Sequence, residues 1–163
     1  MGVGSNLEQP ASQVLRALNA LRDLPRTRLE RTSCLYGSEP FGPVAQPPYV
    51  NAVAALLTQL EVRTFFEALR RLERQLGRGP SRERWGPRII DLDLLLFGQQ
   101  RLDSPELTLP HPGIVQRNWV LYPLREVAPE LRVPGSGPVK VLAERVQSAG
   151  IWRLNGETMS HGA

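Results

Sequence analysis

Apolar and polar positions alternate along the chain in two periods, and the periods mark the elements. Val14, Leu15, Leu18 and Leu21 recur at helical spacing, so residues 11–24 are predicted helical, with Pro25 as the stop. From Arg28 to Tyr36 the period is two, with Leu29, Arg31, Ser33 and Leu35 against Glu30, Thr32, Cys34 and Tyr36, which predicts one strand. Val50 to Leu60 is apolar on both faces, as a central strand is. Thr64 to Leu76 returns to helical spacing through Phe65, Leu69, Leu72 and Leu76, with Thr64 as the expected cap and Gly77 as the stop. Residues 89–97 are apolar apart from two carboxylates and predict a strand buried on both faces. Helices are predicted over 120–128 and 139–147, and an edge strand over 151–154. Met1 to Gly4 predicts a short strand that turns at Ser5-Asn6-Leu7, and Arg101-Leu102 another short one.

The two carboxylates, Asp91 and Asp93, are the feature the rest is organised around. On a strand they point the same way, with Cβ atoms roughly 6–7 Å apart. Together on so apolar a strand they repel and pay for desolvation. A divalent cation between them removes the repulsion, and carboxylate oxygens suit Mg²⁺, which shares its shell with waters and phosphates. The alternative is an exposed face with two solvated acids. Just upstream, Arg78, Arg82, Arg84 and Arg88 face one acid, Glu83. Arginines beside an acid pair suggest a polyphosphate site, with metal on one side and guanidinium forks on the other. Their loop, 77–87, joins a rigid strand and is a candidate lid, or else a solvated charged loop.

The loop from Gly37 to Tyr49 is stiffened by prolines. Phe41, Tyr49 and Asn51 can line a pocket for a flat heterocycle, by stacking and by amide hydrogen bonds. Equally, polar residues in such loops ordinarily satisfy local backbone. His111 lies between prolines in Leu109-Pro110-His111-Pro112 and is either structural or a hydrogen-bond or proton donor near a phosphate. Arg117 can reach an anion, and Trp119 can stack or fill core.

Length and charge narrow the class. The 163 residues suit one domain, expected over 1–155, with 156–163 a disordered tail. The net charge of +4 is carried almost wholly by arginine and fits a polyanion, whether nucleic acid or polyphosphate. Cys34, the sole cysteine, has no partner for a disulfide and is expected in the core. No signal peptide or membrane-length apolar run is seen, so a cytoplasmic place is expected.

Several stretches, in order, together resemble 6-hydroxymethyl-7,8-dihydropterin pyrophosphokinases, the pyrophosphoryl-transfer enzymes of folate synthesis. They are Gly4-Ser5-Asn6-Leu7, Glu39-Pro40-Phe41-Gly42-Pro43, Gln46-Pro47-Pro48-Tyr49-Val50-Asn51, the run from Arg84 to Leu95, Leu109 to Pro112, and Arg117 to Leu124 followed by Glu126-Val127-Ala128-Pro129. The resemblance implies an α+β, ferredoxin-like sandwich, a mostly antiparallel sheet with helices on its faces. It implies transfer of the β,γ-pyrophosphoryl group of ATP to the hydroxymethyl oxygen of the pterin, with release of AMP. Asp91 and Asp93 are then expected to hold two Mg²⁺ ions on the triphosphate. Arg78, Arg88, His111 and Arg117 are expected as positive partners of the phosphates. Glu73, Leu94, Leu107 and Thr108 are expected as nucleotide contacts, several through backbone, and Ser38, Phe41, Tyr49, Asn51 and Trp119 as the pterin site. The partners implied are ATP and the pterin, with neither nucleic acid nor membrane, and a monomer is expected. An RNA-binding sheet would want aromatics where this chain has Asp91 and Asp93. An inactive homologue serving as a scaffold would be expected to lose an acid or His111, and neither is lost, but a clipped first strand keeps that alternative open.

Two departures from the family pattern stand out. Only three residues precede Gly4, where relatives usually have a longer first strand, so that strand is expected to be clipped. The lid loop of the family often carries an arginine two after the position of Arg78, and here that position is Pro80, with Arg82 two further on.

Overall fold

Alternating apolar and small residues on both faces make one strand the axis of the molecule. The computed structural model describes residues 1–43, 45–79 and 86–154. In order, its elements are β1 (Gly2–Ser5), α1 (Pro10–Ala20), β2 (Thr27–Thr32), β3 (Tyr36–Ser38), β4 (Tyr49–Thr58), α2 (Val62–Gln75), β5 (Asp91–Asp93), β6 (Leu102–Asp103), β7 (Thr108–Leu109), α3 (Asn118–Val127), β8 (Arg132–Val133), β9 (Gly137–Pro138), α4 (Val139–Arg145) and β10 (Ile151–Arg153). The axis is β4. Asn51 pairs with Gly4 of β1 on one side and with Tyr36 of β3 on the other. The strand order is β10-β3-β4-β1-β5, with β2 along the far end of β4, and every pairing is antiparallel.

The strand period of two sends alternate residues to two cores. Val3, Val50, Ala52, Ala54 and Leu92 pack against α1 and α2 through Val14, Leu18, Phe65, Leu69 and Leu72. Val53 and Leu95 pack on the other face against α3 and α4 through Val120, Leu121, Leu124, Val139 and Leu142. Each fully buried leucine contributes about 1.5–3 kcal/mol. This is the α+β sandwich the resemblance implied. Among the described residues no helix is long and apolar enough to cross a membrane.

Four expectations need correction. The strand expected over 28–36 is two strands, because a register shift at Leu29/Arg31 is followed by a break at Ser33. There the Ser33 hydroxyl accepts the Val53 N–H at 2.9 Å, while the Ser33 N–H donates to Val53 O, so a side chain stands in for the ladder. Cys34 is buried in that break and not in a strand. The strand expected over 89–97 is ordered as a ladder only over Asp91–Asp93, because it is a sheet edge whose sole partner among the described residues is the four-residue β1. Burial on both faces does hold, with Leu92 and Leu94 on one core and Leu95 on the other. Helix α2 starts at Val62 and has no side-chain cap, so Thr64 lies within its first turn. The β8–β9 hairpin was not foreseen, since two-residue strands leave no alternation to read.

The short β1 is nonetheless central. It pairs with β4 and β5 at once, and the Ala54 N–H donates to Met1 O at 2.9 Å, extending the ladder by one residue. The tail expected to be disordered from 156, and Pro80, Arg82 and Arg84 of the basic loop, lie outside the described residues.

Candidate active site

With Val3 turned to the α1–α2 core, Gly2 and Gly4 face the other way, in register with Asp93 and Asp91 on one side and Val53 and Asn51 on the other. Two glycines in this row leave an open floor between the acids and the amide. A Cβ on Gly4 would sit 3.3 Å from Asn51 Oδ1. Over this floor lies a cleft of about 230 Å³, lined among others by Ser38, Phe41, Tyr49, Asn51, Arg88, Asp91, Asp93, His111, Arg117 and Trp119. Ten side chains singled out in the sequence, drawn from five stretches, thus meet in one place.

The cleft has a charged end and an aromatic end. At the charged end Asp91 is already paired. Arg78 Nη1 donates to its Oδ1 at 2.7 Å and Arg88 Nη1 to its Oδ2 at 2.9 Å. Asp93, in contrast, accepts no hydrogen bond among the described residues. Burial and the neighbouring Asp91 push the Asp93 carboxyl up to about 7, against the pull of Arg117. Arg117 and Arg88 act on it through charge, without a hydrogen bond. Among the described residues no three His, Cys, Asp or Glu side chains gather to enclose a metal. A divalent ion on this acid pair would complete its shell with water and substrate oxygens, which is the habit of Mg²⁺. The donor set fits that ion.

Glu73, expected as a nucleotide contact, is 2% exposed and turned inward. Its carboxylate accepts the Leu92 N–H at 2.7 Å and pairs with Arg78 and with Arg70. Burial raises its pKa, while the Leu92 N–H and Arg78 oppose the rise. Its side chain is a bracket that ties α2 to β5 and aims Arg78 at Asp91. Arg78 likewise rests on carboxylates in this structure. Burial works against its charge, but Asp91 and Glu73 more than compensate and raise its pKa. Leu94 and Leu107 bury their side chains, and with Thr108 they lie outside the cleft wall.

His111 is expected among the positive partners, and its surroundings in the cleft wall favour the neutral ring. Burial lowers its pKa and Arg117 adds to the shift, with Asp91 opposing. Its Nδ1 accepts the Gly113 N–H at 3.1 Å, which assigns the ring proton to Nε2. It is therefore a hydrogen-bond donor in the cleft wall. Gly113 also clears room for Arg117, whose Nε would lie 2.5 Å from a Cβ there.

At the aromatic end Asn51 Nδ2 donates to Ser38 Oγ at 2.8 Å, which leaves the amide oxygen toward Gly4. Burial raises the Tyr49 pKa and keeps its phenol protonated. The phenol donates to Gln46 Oε1 at 3.2 Å. Phe41, 60% exposed, leans on Trp119 with ring centroids 5.8 Å apart. The Arg117 guanidinium lies 5.9 Å from the centre of the Trp119 ring.

One side chain that the sequence reading passed over joins the two ends. Asn6 is 2% exposed. Its N–H donates to Arg88 O at 3.1 Å, its Oδ1 accepts the Arg88 N–H at 2.8 Å, and its Nδ2 donates to Gln46 Oε1 at 2.9 Å and Pro47 O at 3.1 Å. The signal is the asparagine of the Ser5-Asn6-Leu7 turn, a position that patterning alone reads as an ordinary turn residue.

The model of 7,8-dihydro-6-hydroxymethylpterin-pyrophosphokinase (HPPK) matches residues 1–129. The chain belongs to the HPPK family. It is 46% identical over 156 residues to the 2-amino-4-hydroxy-6-hydroxymethyldihydropteridine pyrophosphokinase of Pseudomonas aeruginosa, covering 96% of each chain. To the enzyme of the same name from Haemophilus influenzae it is 39% identical over 155 residues, 95% of this chain and 96% of that one. A crystal structure of Plasmodium falciparum HPPK-DHPS with pteroate shares the fold, with a TM-score of 0.67 over 88% of this chain. Identity there is 12%, and the chain spans 43% of that longer protein. As an HPPK the chain is an ATP-dependent diphosphotransferase.

Proposed function

We propose that the cleft takes MgATP at its charged end and 6-hydroxymethyl-7,8-dihydropterin at its aromatic end, and joins them. The pterin hydroxymethyl oxygen bonds to the β-phosphorus of ATP, the bond from that phosphorus to the AMP oxygen breaks, and the hydroxyl proton is released. The observation that carries this reading is the Gly2/Gly4 floor, which sets Asp91 and Asp93 and the Asn51 amide in adjacent rows of one sheet face.

Asn51 suits the pterin edge because an amide offers both a donor and an acceptor. Tyr49 and Trp119 supply flat apolar surface for the ring. Asp91 and Asp93 are the ligands that would hold two Mg²⁺ ions, which when bound neutralise the triphosphate and orient the attacked phosphorus. Arg78 and Arg88 hold Asp91. An arriving polyphosphate gives their guanidinium forks a second anion, and Arg117 and the Nε2–H of His111 add donors across from them. Positioning and charge neutralisation supply most of the acceleration in such a transfer. The chain works as a monomer in the cytoplasm on this reading.

The test is AMP release from MgATP with and without the pterin. Pterin-dependent AMP, with no ADP, is expected. ADP, or AMP independent of pterin, would overturn the reading.

A further inference from the structure

The cleft's aromatic wall depends on the first turn of α3, which its own helix holds through the Arg117 carbonyl, the acceptor of the Val120 and Leu121 N–H groups. Arg117, at its N-cap, makes no side-chain cap, and no acidic residue sits in the first turn. Pro123, inside the helix, has no N–H to give to the carbonyl of Trp119. Yet the turn carries Arg117 and Trp119 into the cleft. Between them Asn118 points the other way, 9% exposed.

The Asn118 amide reaches a segment far along the chain. Its Nδ2 donates to Gln147 O at 2.8 Å and to Ala149 O at 2.9 Å, and its Oδ1 has no partner among the described residues. One residue further, Gly150 O accepts the Glu39 N–H at 2.9 Å, next to Ser38 in the opposite wall. The segment then pairs with β3, Ile151 against Ser38 and Trp152 against Gly37. Gly150 takes φ +71°, and a Cβ there would lie 3.2 Å from Glu39 Oε2. Residues 147–153 thus run as a strap from the start of α3 to the end of β3.

We infer that Asn118 is a positioning residue for the pterin: through the 147–150 strap it holds Trp119 at a fixed distance from the Ser38–Phe41 wall. The inference rests on the pterin reading of that end of the cleft. Two side walls tied by one strap form a slot of set width. Losing either tie lets α3's first turn drift and costs affinity for a flat ring, while ATP at the far end is little affected.

The test is a double-mutant cycle on ligand binding, with 6-hydroxymethyl-7,8-dihydropterin and a non-hydrolysable ATP analogue titrated separately into wild type, Asn118→Ala, Gly150→Ala and the double variant. The wild type comes first, since failure to bind pterin there would sink the functional reading and not the strap. Each single variant is expected to weaken pterin binding by about tenfold and the ATP analogue by less than about twofold. The double variant is expected to be no weaker than about the worse single, since both cut one strap. Parallel losses for both ligands, unchanged pterin binding, or penalties that simply multiply would overturn the inference. If Asn118→Ala does not fold, Gly150→Ala alone decides by the same pterin-to-ATP split.

Discussion

At the scale of single residues, Asp93 shows function placed at the expense of stability. Its carboxyl is pushed up to about 7 by burial and by Asp91, so its ionisation opposes folding. For a raised pKa the stability is fully present below the unfolded value and is lost as pH rises through the folded one. Asp93→Asn removes that penalty. Metal-free Asp93→Asn is expected to be more stable than wild type by about 1 kcal/mol at pH 8, the gain fading toward pH 4, in urea melts at several pH values. Its pyrophosphoryl transfer is expected to fall by about a thousandfold or more. Transfer within a few-fold of wild type would show that Asp93 holds no part of the substrate complex. Trp119 gives the complementary case. Trp119→Ala is expected to weaken pterin binding by about 1–3 kcal/mol, as loss of a stacking ring does, with ATP binding kept. Equal losses for both ligands would make Trp119 a packing residue.

At the scale of elements, the site follows from which way β1 faces. Gly4→Ala puts a Cβ 3.3 Å from Asn51 Oδ1, on the floor of the cleft. Pterin affinity should drop severalfold while the melting temperature moves little. In contrast, a Cβ on Gly37 would lie 2.2 Å from the Trp152 indole. Gly37→Ala should cost about 1–3 kcal/mol of stability through overpacking. A thermal melt and a pterin titration on both variants separate the two effects. Much of this was legible beforehand. The periodicities located all four helices, β4 and β10, and the D-x-D pair with its arginines marked the charged end. What escaped was relational. No local pattern shows that Gly2 and Gly4 face the acids, since that depends on register with β4 and β5. That Arg78 and Arg88 both reach Asp91 was not legible either, since strand alternation does not encode pairings between residues 13 and three apart. Ser33 broke its strand because a hydroxyl took over a ladder bond, which binary patterning cannot register.

At the scale of the whole molecule, two helix layers clamp the six-stranded sheet, and polar ties join the α3–α4 layer to it. One is Glu126 near the end of α3, which accepts the Cys34 N–H at 2.9 Å and the Tyr36 hydroxyl at 2.8 Å. Burial acts to raise its pKa, but these two donors prevail and lower it. A depressed carboxyl stabilises above its unfolded pKa and loses that contribution as pH falls through the folded one. The difference in urea midpoint between wild type and Glu126→Gln should therefore be constant from pH 7 to about 5 and close below the ordinary carboxylate range. A difference independent of pH would mean that the charge of Glu126 contributes nothing. The central claim is that one sheet face seats the magnesium-bound triphosphate on Asp91 and Asp93 beside the pterin. Its most direct test is Mn²⁺ binding, followed by electron paramagnetic resonance, with a non-hydrolysable ATP analogue present. Wild type should bind two ions in the presence of the analogue, and Asp93→Asn should lose tight binding of at least one. Equal Mn²⁺ binding by the two proteins would contradict the account.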